Sequence, residues 1–517
     1  MRGALTAAGL IACASCTFGA DDYRFAARGG AAASAGAAPG GGPQAGKSGA
    51  AGQDGAGRGG AGQGGAGQSG TTSGQGGAGA SGAGAGGAAG AKPACQKSDR
   101  ACDGKKELVC AADQSKLEPS RECGPSSTCE PGVGCVSPLE VVAGIETTCA
   151  RYDDGTARCW GENGLGQLGV GVVGGKQPVP SKVSSPDGAT KLGAVTSLAV
   201  GWRSACAVSA GDAYCWGSDD NGQLGDGPGQ TPETGRPVKV KLPTKAKQIA
   251  GALLTFCALT TDDQVWCWGS NKGGLLLGPN LLEEQPVLPG VGASGSISVG
   301  ASTICSRVGT TVKCWGLNFR GEAGIGKTDA LAHDPDFVRW APGDPPITGV
   351  TQISVGGAAL LGNNPTSHLL LATGNGQTNG ALACWGWNEK GQCLVDPGTP
   401  SLTTPQPVST VSPIQVSAGA QHSCVTFAST PTTPNVQCWG WNEDGQIGNG
   451  AKTPSAVKAP FTVPGVANAT VSAGAAHTCA LGGAARDTIW CWGAGAHGQL
   501  GDGGFDPQPS PRVVVVP

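Results

Sequence analysis

Cysteine dominates the residues of this chain that could do chemistry. The 517 residues include 22 cysteines, against five histidines and one methionine. In a cytosolic protein this many thiols would require a metal or a redox role, whereas an exported protein uses them in disulfides. No two histidines stand at H-x3-H or H-E-x-x-H spacing, so no zinc site is indicated. The sequence therefore predicts disulfide bonds, no metal and no cofactor.

Motifs of enzymatic chemistry are weak in this sequence. Residues 41–48, GGPQAGKS, match a phosphate-binding loop, but their flanks contain neither the strand nor the helix that aims such a loop. No G-x-S-x-G elbow precedes a helical pattern, and acidic doublets such as Asp153-Asp154 fall in turns. We therefore expect no catalytic residues and no enzyme. Carboxylates brought together from different repeats would make a glycan-acting enzyme the alternative.

The N-terminus indicates export. Residues 1–16 combine an early arginine, a short apolar run and small residues, which is typical of a secretory signal. Leu10 to Cys13 resembles a bacterial lipobox, in which the cysteine is lipidated, and Cys16 is the other candidate. We expect a lipoprotein of the outer membrane or cell surface anchored through Cys13, with a periplasmic or secreted protein as the alternative. The net charge of −3 and the lack of a long apolar run predict no nucleic-acid partner and no membrane contact beyond that anchor.

Two segments separate the signal from the rest of the chain. Residues 17–92 are rich in Gly, Ala, Ser and Gln, and from Gly29 to Lys92 they contain no Val, Leu, Ile or aromatic residue, so we expect a disordered linker that acts as a spacer. Residues 93–136 form a small six-cysteine module that is too short for a core of its own. The absence of a C-x2-C pair favours three disulfides over zinc, and the pairing stays open among Cys95, Cys102, Cys110, Cys123, Cys129 and Cys135.

Residues 137–517 repeat one unit of about 53 residues. A Cys-Trp-Gly triplet marks each unit and is followed by a turn related to N-x-x-G-Q-L-G. A second cysteine lies upstream, after a short apolar stretch that ends in glycine, and turn residues such as Gly211-Asp212 separate the two cysteines. Two short strands joined by such a turn make a β-hairpin. The triplets begin at Cys159, Cys215, Cys267, Cys314, Cys384, Cys438 and Cys491.

The hairpins predict a disulfide in each unit. Neighbouring hairpin strands bring opposed Cα atoms to about 5.5 Å, which suits a disulfide. The fifth unit has Leu361 where the others have the upstream cysteine, so we expect Cys384 to pair with Cys393. The other predicted pairs are Cys149–Cys159, Cys206–Cys215, Cys257–Cys267, Cys305–Cys314, Cys424–Cys438 and Cys479–Cys491.

The unit resembles the repeat of the regulator of chromosome condensation family. Residues 419–424, GAQHSC, and residues 474–481, GAAHTCAL, are similar to the family's G-x-x-H-[TS]-x-A-[LV] strand, and both precede the triplet and its turn. The resemblance covers about Pro138 to Pro517 and implies an all-β fold, a seven-bladed β-propeller. It also implies that His422 and His477 are structural hydrogen-bonding residues.

The number of units agrees with that architecture. A four-stranded blade cannot bury both faces alone, so blades stack around an axis, and seven of them close a ring. Pro511 to Val516 read as a strand with no triplet after it. We expect this strand to complete the blade begun by Leu139 to Val142 and so to fasten the ring.

Aromatic and arginine residues outside the repeat positions are the candidate binding residues. Exposed tryptophan and arginine are enriched at binding hot spots, and loops add function to rigid scaffolds. Packing is the alternative for the tryptophans. The candidates are Trp202, Arg203, Phe337, Arg339, Trp340, Trp387 and Trp441.

These features together predict a monomeric, surface-tethered interaction scaffold that presents propeller loops to an unidentified protein or glycan. The family resemblance also implies guanine-nucleotide exchange on a small GTPase. An exported, disulfide-bonded chain would not meet that partner, so we rank this role below the glycan-acting enzyme.

Overall fold

A computed structural model describes residues 95–517 of the chain, apart from 229–232, 273, 279, 358–367, 374–380, 396–398, 409–412 and 429–433. The predicted signal at 1–16, with Cys13, and the predicted linker at 17–92 lie outside the described residues. In the described part, no helix is long and apolar enough to cross a membrane. All the regular elements there are β-strands, β1 to β33.

The six-cysteine module comes first along the described chain. It contains a three-stranded sheet and a short hairpin, formed by β1 (Arg100–Asp103), β2 (Lys106–Cys110), β3 (Leu117–Glu122), β4 (Thr128–Glu130) and β5 (Gly134–Val136). Its three disulfides join Cys95 to Cys110, Cys102 to Cys129 and Cys123 to Cys135. The structure thereby selects one of the pairings that the sequence leaves open.

Seven four-stranded antiparallel sheets follow, and each takes its strands consecutively from the chain. Blade one contains β6 (Pro138–Ala143), β7 (Thr147–Tyr152), β8 (Ala157–Glu162) and β9 (Lys176–Lys182). Blade two contains β10 (Val195–Val200), β11 (Ser204–Ser209), β12 (Asp212–Ser218) and β13 (Glu233–Lys239). Blade three contains β14 (Ala246–Ala252), β15 (Thr255–Thr260), β16 (Val265–Ser270) and β17 (Leu282–Val287).

The remaining four blades have the same order. Blade four contains β18 (Ser296–Val299), β19 (Thr303–Val308), β20 (Thr311–Asn318) and β21 (Asp329–Phe337). Blade five contains β22 (Val350–Val355), β23 (His368–Thr373), β24 (Leu382–Trp387) and β25 (Ser401–Val408). Blade six contains β26 (Pro413–Ala418), β27 (His422–Ala428), β28 (Pro434–Asn442) and β29 (Thr453–Ala467), and blade seven contains β30 (Thr470–Ala473), β31 (His477–Gly482), β32 (Thr488–Gly493) and β33 (Gln508–Val513). The predicted all-β, seven-bladed propeller is confirmed.

In six of the seven blades, the indole N–H of the triplet tryptophan donates to the preceding blade, whereas that of Trp315 has no hydrogen-bond partner among the described residues. The indole N–H of Trp216 donates to the carbonyl oxygen of Gln167 at 2.9 Å, in the turn of the preceding blade. Gly169 ends that turn with φ of +67°, and a Cβ there would lie within 3.0 Å of the Trp216 ring, so a larger residue would push the blades apart. Equivalent bonds join Trp160 to Gln499, Trp268 to Gln223, Trp385 to Glu322, Trp439 to Gln392 and Trp492 to Gln446.

The ring closes through the same kind of tryptophan contact, between blades one and seven. The C-terminal strand does not join blade one. The prediction that Pro511 to Val516 complete the blade of Leu139 to Val142 is wrong. Strand β33 pairs with β32, with Arg512 opposite Cys491, and is the outer strand of blade seven. Strand β6 already begins a complete blade one, so the C-terminal strand has no vacant position there. Each repeat coincides with one blade, and Trp160 supplies the closing contact to blade seven.

Disulfides cross-link the hairpins of six blades. Six bonds join directly opposed residues of the second and third strands, as Cys206 and Cys215 do, and these are the pairs expected from the sequence. Their Cα atoms lie 4.0 to 4.1 Å apart, closer than expected, because opposed residues without mutual backbone bonds approach more closely than hydrogen-bonded pairs. In blade five Leu370 stands opposite Cys384, and Cys384 is bonded to Cys393 in the following turn.

The module is docked on the seam between blades seven and one. Ser126 is fully buried, its hydroxyl accepts from the backbone N–H of Ile489 at 2.9 Å, and it donates to the carbonyl oxygen of Val514 at 3.1 Å. Val136 packs in one apolar cluster with residues of blades one and seven, including Val514. The module and the propeller therefore share a core, which the sequence did not indicate.

A buried histidine also bridges this seam. The hydroxyl of Thr148 donates to the carbonyl oxygen of Gln499 at 2.8 Å, so it accepts from Nε2–H of His477, 2.9 Å away. Burial lowers the pKa of His477 to about 3. The structural role that the family resemblance implies for this residue agrees with its geometry.

We expect the seam histidine to make the protein sensitive to mild acid. The folded state binds the proton of His477 more weakly than the unfolded chain, whose histidine pKa is about 6.5, so stability present above about pH 6.5 is lost as the pH falls toward 3. Between about pH 6.5 and pH 5 the free energy of unfolding falls by about 2 kcal/mol. Denaturant unfolding at a series of pH values should give a flatter profile for His477→Gln than for the wild type. Parallel profiles would contradict the assignment.

Candidate binding groove on the loop face

The candidate binding residues lie at two opposite ends of the propeller. Strands alternate in direction within a blade, so the connections from first to second strand and from third to fourth strand emerge at the same end, which we call the loop face. Trp202 and Arg203 lie on it between β10 and β11, and Trp387 and Trp441 lie on it at the ends of β24 and β28. The segment from Phe337 to Trp340 follows a fourth strand and belongs to the opposite face.

A groove on the loop face runs between blades two and three. Its volume is about 480 Å³, which lies in the range of small-ligand and peptide pockets. Blade two contributes the connection from its first to its second strand, with Trp202, and the turn after its triplet, and blade three contributes the corresponding two loops. The lining residues are Trp202, Arg203, Ser218, Asp220, Asn221, Leu254, Lys272, Leu281 and Leu282.

The backbone fixes the position of the Trp202–Arg203 pair. The N–H of Trp202 donates to the carbonyl oxygen of Leu253 at 2.8 Å, and the carbonyl oxygen of Arg203 accepts from the N–H of Ser218 at 2.9 Å. Gly201 permits this approach, because a Cβ there would lie 2.6 Å from the oxygen of Leu253. Blade three therefore holds the backbone of Trp202, and blade two holds the backbone of Arg203, beside the groove.

The two side chains form a cation–π pair. The guanidinium of Arg203 lies 4.0 Å from the ring centroid of Trp202, which is itself 9% exposed. Among the described residues, the Arg203 guanidinium makes no ion pair and no side-chain hydrogen bond. A stacked guanidinium keeps its N–H edge available, and that edge matches the two oxygens of a carboxylate. The Arg203 guanidinium is therefore positioned to bind an anion through its N–H edge. Its own stacking covers the face of the Trp202 indole.

Leucines form the other wall of the groove. Leu281 is 73% exposed, Leu282 begins strand β17, and Leu254, which also lines the groove, is buried. A single exposed leucine is ordinary on a protein surface. Here it borders a concave site that also contains Arg203 and Lys272, so charged and apolar recognition elements lie side by side.

The other loop-face tryptophans lie in blades five and six. Trp387 is 4% exposed, so its ring is packed and offers almost no surface to a partner, which agrees with the alternative that this tryptophan serves packing. Trp441 is half-buried, with Lys390 Nζ 4.1 Å from its ring centroid and its indole N–H donating to Glu443 at 3.2 Å. These residues make a second cation–π pair, separate from the groove.

The candidates on the opposite face are engaged within their own segment. Arg339 pairs with Asp336 at 3.1 Å, and Lys313 Nζ lies 4.9 Å from the ring centroid of Phe337. Trp340 is 38% exposed. The seven candidates therefore form three groups, and only Trp202 and Arg203 line the groove.

Sequence reasoning missed a cluster of titratable side chains on the loop face. The Nδ1 atom of His497, in blade seven, lies 2.7 Å from Glu162, and its Nε2 atom lies 3.5 Å from Glu146, both in blade one. Burial raises the pKa of Glu146, opposed by His497. Burial acts the same way on Glu162, but hydrogen bonds from His497 and the backbone of Gly164 outweigh it and lower the pKa of this carboxyl. A histidine between two carboxylates can move a proton.

Alignment of the repeats could have revealed part of this cluster. Glu162 directly follows the first triplet, and His497 lies in the turn of the seventh unit, where other units have no histidine. Their proximity depends on the closure of the ring, which spacing along the chain does not show. In the described part of the chain, no group of three or more His, Cys, Asp or Glu side chains is arranged to hold a metal ion.

The axis of the propeller offers little space. Its cavity has a volume of about 100 Å³ and is lined mainly by glycine and alanine residues at the ends of the first strands, such as Gly144, Gly419 and Gly474. The groove between blades two and three is therefore the larger of these two spaces.

Comparisons with known proteins identify the repeat. Models of the "Regulator of chromosome condensation (RCC1) repeat" match residues 154–208, 210–257 and 435–481, and residues 140–167 and 250–274. The chain is 28% identical over 393 residues to the ultraviolet-B receptor UVR8 of Arabidopsis thaliana, covering 73% of this chain and 81% of that protein. It is 25% identical over 359 residues to human E3 ubiquitin-protein ligase HERC2, covering 66% of this chain but 7% of HERC2.

Solved structures show the same fold. Prp20p from Saccharomyces cerevisiae superposes with a TM-score of 0.56 at 20% identity, covering 73% of this chain and 87% of that chain. Human WBSCR16 has a TM-score of 0.56 at 19% identity, covering 69% of this chain and 94% of that chain. At these identities the likeness concerns the fold alone. The repeats, their pairing into blades and these relatives agree: the chain contains repeats of the RCC1 type, and its seven repeats form a seven-bladed β-propeller.

Proposed function

We propose that this protein is a cell-surface binding scaffold that captures a protein partner in the loop-face groove. The observation that supports this most strongly is the Arg203 guanidinium, stacked on Trp202 and without an ion pair among the described residues, beside the exposed Leu281. Tryptophan and arginine in a rigid concave site are typical of binding hot spots. The relatives are in keeping with a binding role, since UVR8 is a receptor and Prp20p has binding properties toward Gsp1p and histones.

A protein fits this groove better than a glycan does. Sugar rings stack on open aromatic faces, but the face of Trp202 is covered by Arg203. Aliphatic side chains such as Leu281 and Leu282 are better matched by the apolar side chains of a polypeptide.

The cell-surface location is part of the proposal. Cys13 would be the lipidated residue, residues 17–92 the spacer, and the module the first folded element after it. In producing cells, labelled palmitate should incorporate into the wild-type chain and fail to incorporate into the Cys13→Ser variant. Equal labelling of both chains would remove Cys13 from the proposal.

A glycan-acting enzyme is the second candidate, because of the cluster of Glu146, His497 and Glu162. These residues could move a proton at the surface of the loop face. Turnover of envelope glycans by the wild type, abolished by Glu146→Gln, would favour this candidate over a scaffold.

Affinity capture tests the proposal. The full chain, Arg203→Ala and Arg339→Ala would each be immobilised and exposed to detergent-solubilised cell-envelope proteins. We expect the wild type and Arg339→Ala to retain the same protein and Arg203→Ala to lose it, because Arg339 is a matched arginine on the opposite face. Equal retention by all three chains, or no retention by the wild type, would overturn the proposal. Equal midpoints of thermal unfolding would show that the variants are folded.

A further inference from the structure

We infer that the groove binds an extended segment of the partner in which an acidic side chain lies next to an aliphatic one. This inference rests on the proposed function and adds the chemistry of the ligand. It follows from the pairing state of Arg203, the apolar wall beside it and the size of the groove.

Within the described residues, Arg203 lacks the polar side-chain contacts that the other partly buried arginines make; Arg307 donates to the carbonyl oxygen of Gly309 at 2.7 Å, and others are ion-paired. Arg151, Arg158 and Arg339 have side chains 4 to 24% exposed, and each has a carboxylate oxygen within 3.3 Å. Arg203 is also partly buried, yet its only described side-chain partner is the Trp202 ring. A guanidinium that has lost part of its hydration and has no anion gains most from a bidentate carboxylate.

Charges around the groove are compatible with an incoming carboxylate. Lys272 adds a second positive charge to the lining. Asp220 is the one acidic residue of the lining, and it accepts a hydrogen bond from the hydroxyl of Ser218 at 3.2 Å. Outside the lining, Glu146 is close enough to Arg203 for the guanidinium to act on its pKa, but it makes no hydrogen bond with Arg203. A basic ligand would meet the stacked guanidinium, so this charge distribution selects against it.

The leucines determine what must lie next to the acid. Leu281 and Leu282 stand on the blade-three side of the groove, across from Arg203 on the blade-two side. An aliphatic side chain adjacent to the acid in the ligand would contact them and remove the exposed Leu281 from water. A volume of about 480 Å³ accommodates a few side chains and not a folded surface, so the ligand enters as an extended segment.

Selection of peptides tests this chemistry without knowledge of the partner. A phage-displayed library of random short peptides would be selected on the full wild-type chain and, in parallel, on Arg203→Ala. We expect the wild type to enrich peptides with aspartate or glutamate beside leucine, isoleucine or valine, and Arg203→Ala to lose that enrichment. Enrichment of basic peptides, or the same peptides on both chains, would overturn the inference.

Titration of one selected peptide then locates the contact. Replacing its acid by the corresponding amide and replacing Arg203 by alanine should each weaken binding by about tenfold or more, and the double change should add little, because both remove the same pair. Leu281→Ser should also weaken binding, and its exposure makes it a safe substitution for folding. Additive effects of the acid and Arg203 changes would contradict direct pairing.

The two proposals fail in different ways. If the full chain captures a partner through Arg203 but the selected peptides carry neutral or basic side chains in place of a carboxylate, the scaffold stands and the ligand chemistry is wrong. If neither a partner nor any peptide depends on Arg203, the groove is not the binding site and both proposals fail.

Discussion

Arg158→Ala loosens the six-cysteine module from the propeller and lowers the free energy of unfolding by about 3 kcal/mol. The Arg158 side chain is 4% exposed. Its guanidinium donates to the hydroxyl of Thr128 at 2.8 Å and pairs with Glu130 at 2.9 Å, both in the module, and it lies 4.2 Å from the ring centroid of Tyr152. Removing the arginine leaves the Thr128 hydroxyl without this buried donor and leaves Glu130 with Lys182, 2.6 Å away, as its remaining cation.

Arg151→Ala is the matched control for that prediction. Arg151 lies in the same blade, but its side chain is 24% exposed and its partner Glu140 is 37% exposed. An exposed pair of this kind contributes about 0 to 1 kcal/mol. Denaturant unfolding gives the two free energies, and hydrogen exchange at the Ile489 amide, which donates to Ser126, reports docking of the module. Equal destabilisation by both variants, or unchanged exchange at Ile489 in Arg158→Ala, would contradict the account of the seam.

Trp439→Ala should destabilise the propeller by about 3 to 5 kcal/mol. The Trp439 ring is fully buried in an apolar cluster that extends from blade four to blade six, and its indole N–H donates to the carbonyl oxygen of Gln392 at 2.8 Å. Alanine would leave a cavity at the contact between two blades and remove that hydrogen bond. A loss of this size is a large fraction of the stability of a typical protein.

Trp441→Ala separates the role of the repeat position from the effect of losing any tryptophan. Trp441 lies two residues further along the same strand and is half-buried, with Lys390 stacked on its ring. Its cation–π contact contributes about 0.5 to 1 kcal/mol, so this variant should unfold near the wild type. Thermal and denaturant unfolding compare the two. Similar losses of stability in Trp439→Ala and Trp441→Ala would mean that the triplet tryptophan is not the inter-blade contact that the geometry indicates.

Features that depend on local spacing could be predicted from the sequence. The triplet and its upstream cysteine lie on one hairpin, so the pairs from Cys149–Cys159 onward follow from short separations along the chain. Seven recurrences of the unit then predict the number of blades. Cys384 shows the limit of this reasoning, because an insertion places Leu370 opposite it and the sequence alone could not show that register.

Features that depend on distant contacts could not be predicted. The position of β33 depends on where a blade begins along the repeat, and a repeating pattern does not reveal that starting point. Docking of Ser126 against Ile489 joins residues that only ring closure brings together. The burial of Trp387 and the stacking of Arg203 on Trp202 are likewise properties of packing, so residue type and spacing could not rank the candidate binding residues.

The affinity of the captured partner for three chains tests the central claim most directly. The dissociation constant would be measured for the wild type, Arg203→Ala and Arg339→Ala, with the partner recovered from the capture experiment. We predict that Arg203→Ala weakens binding by about tenfold or more, as expected for a hot-spot arginine, and that Arg339→Ala stays within about twofold of the wild type. The reverse pattern, or equal affinity for all three chains, would place the binding site away from the loop-face groove.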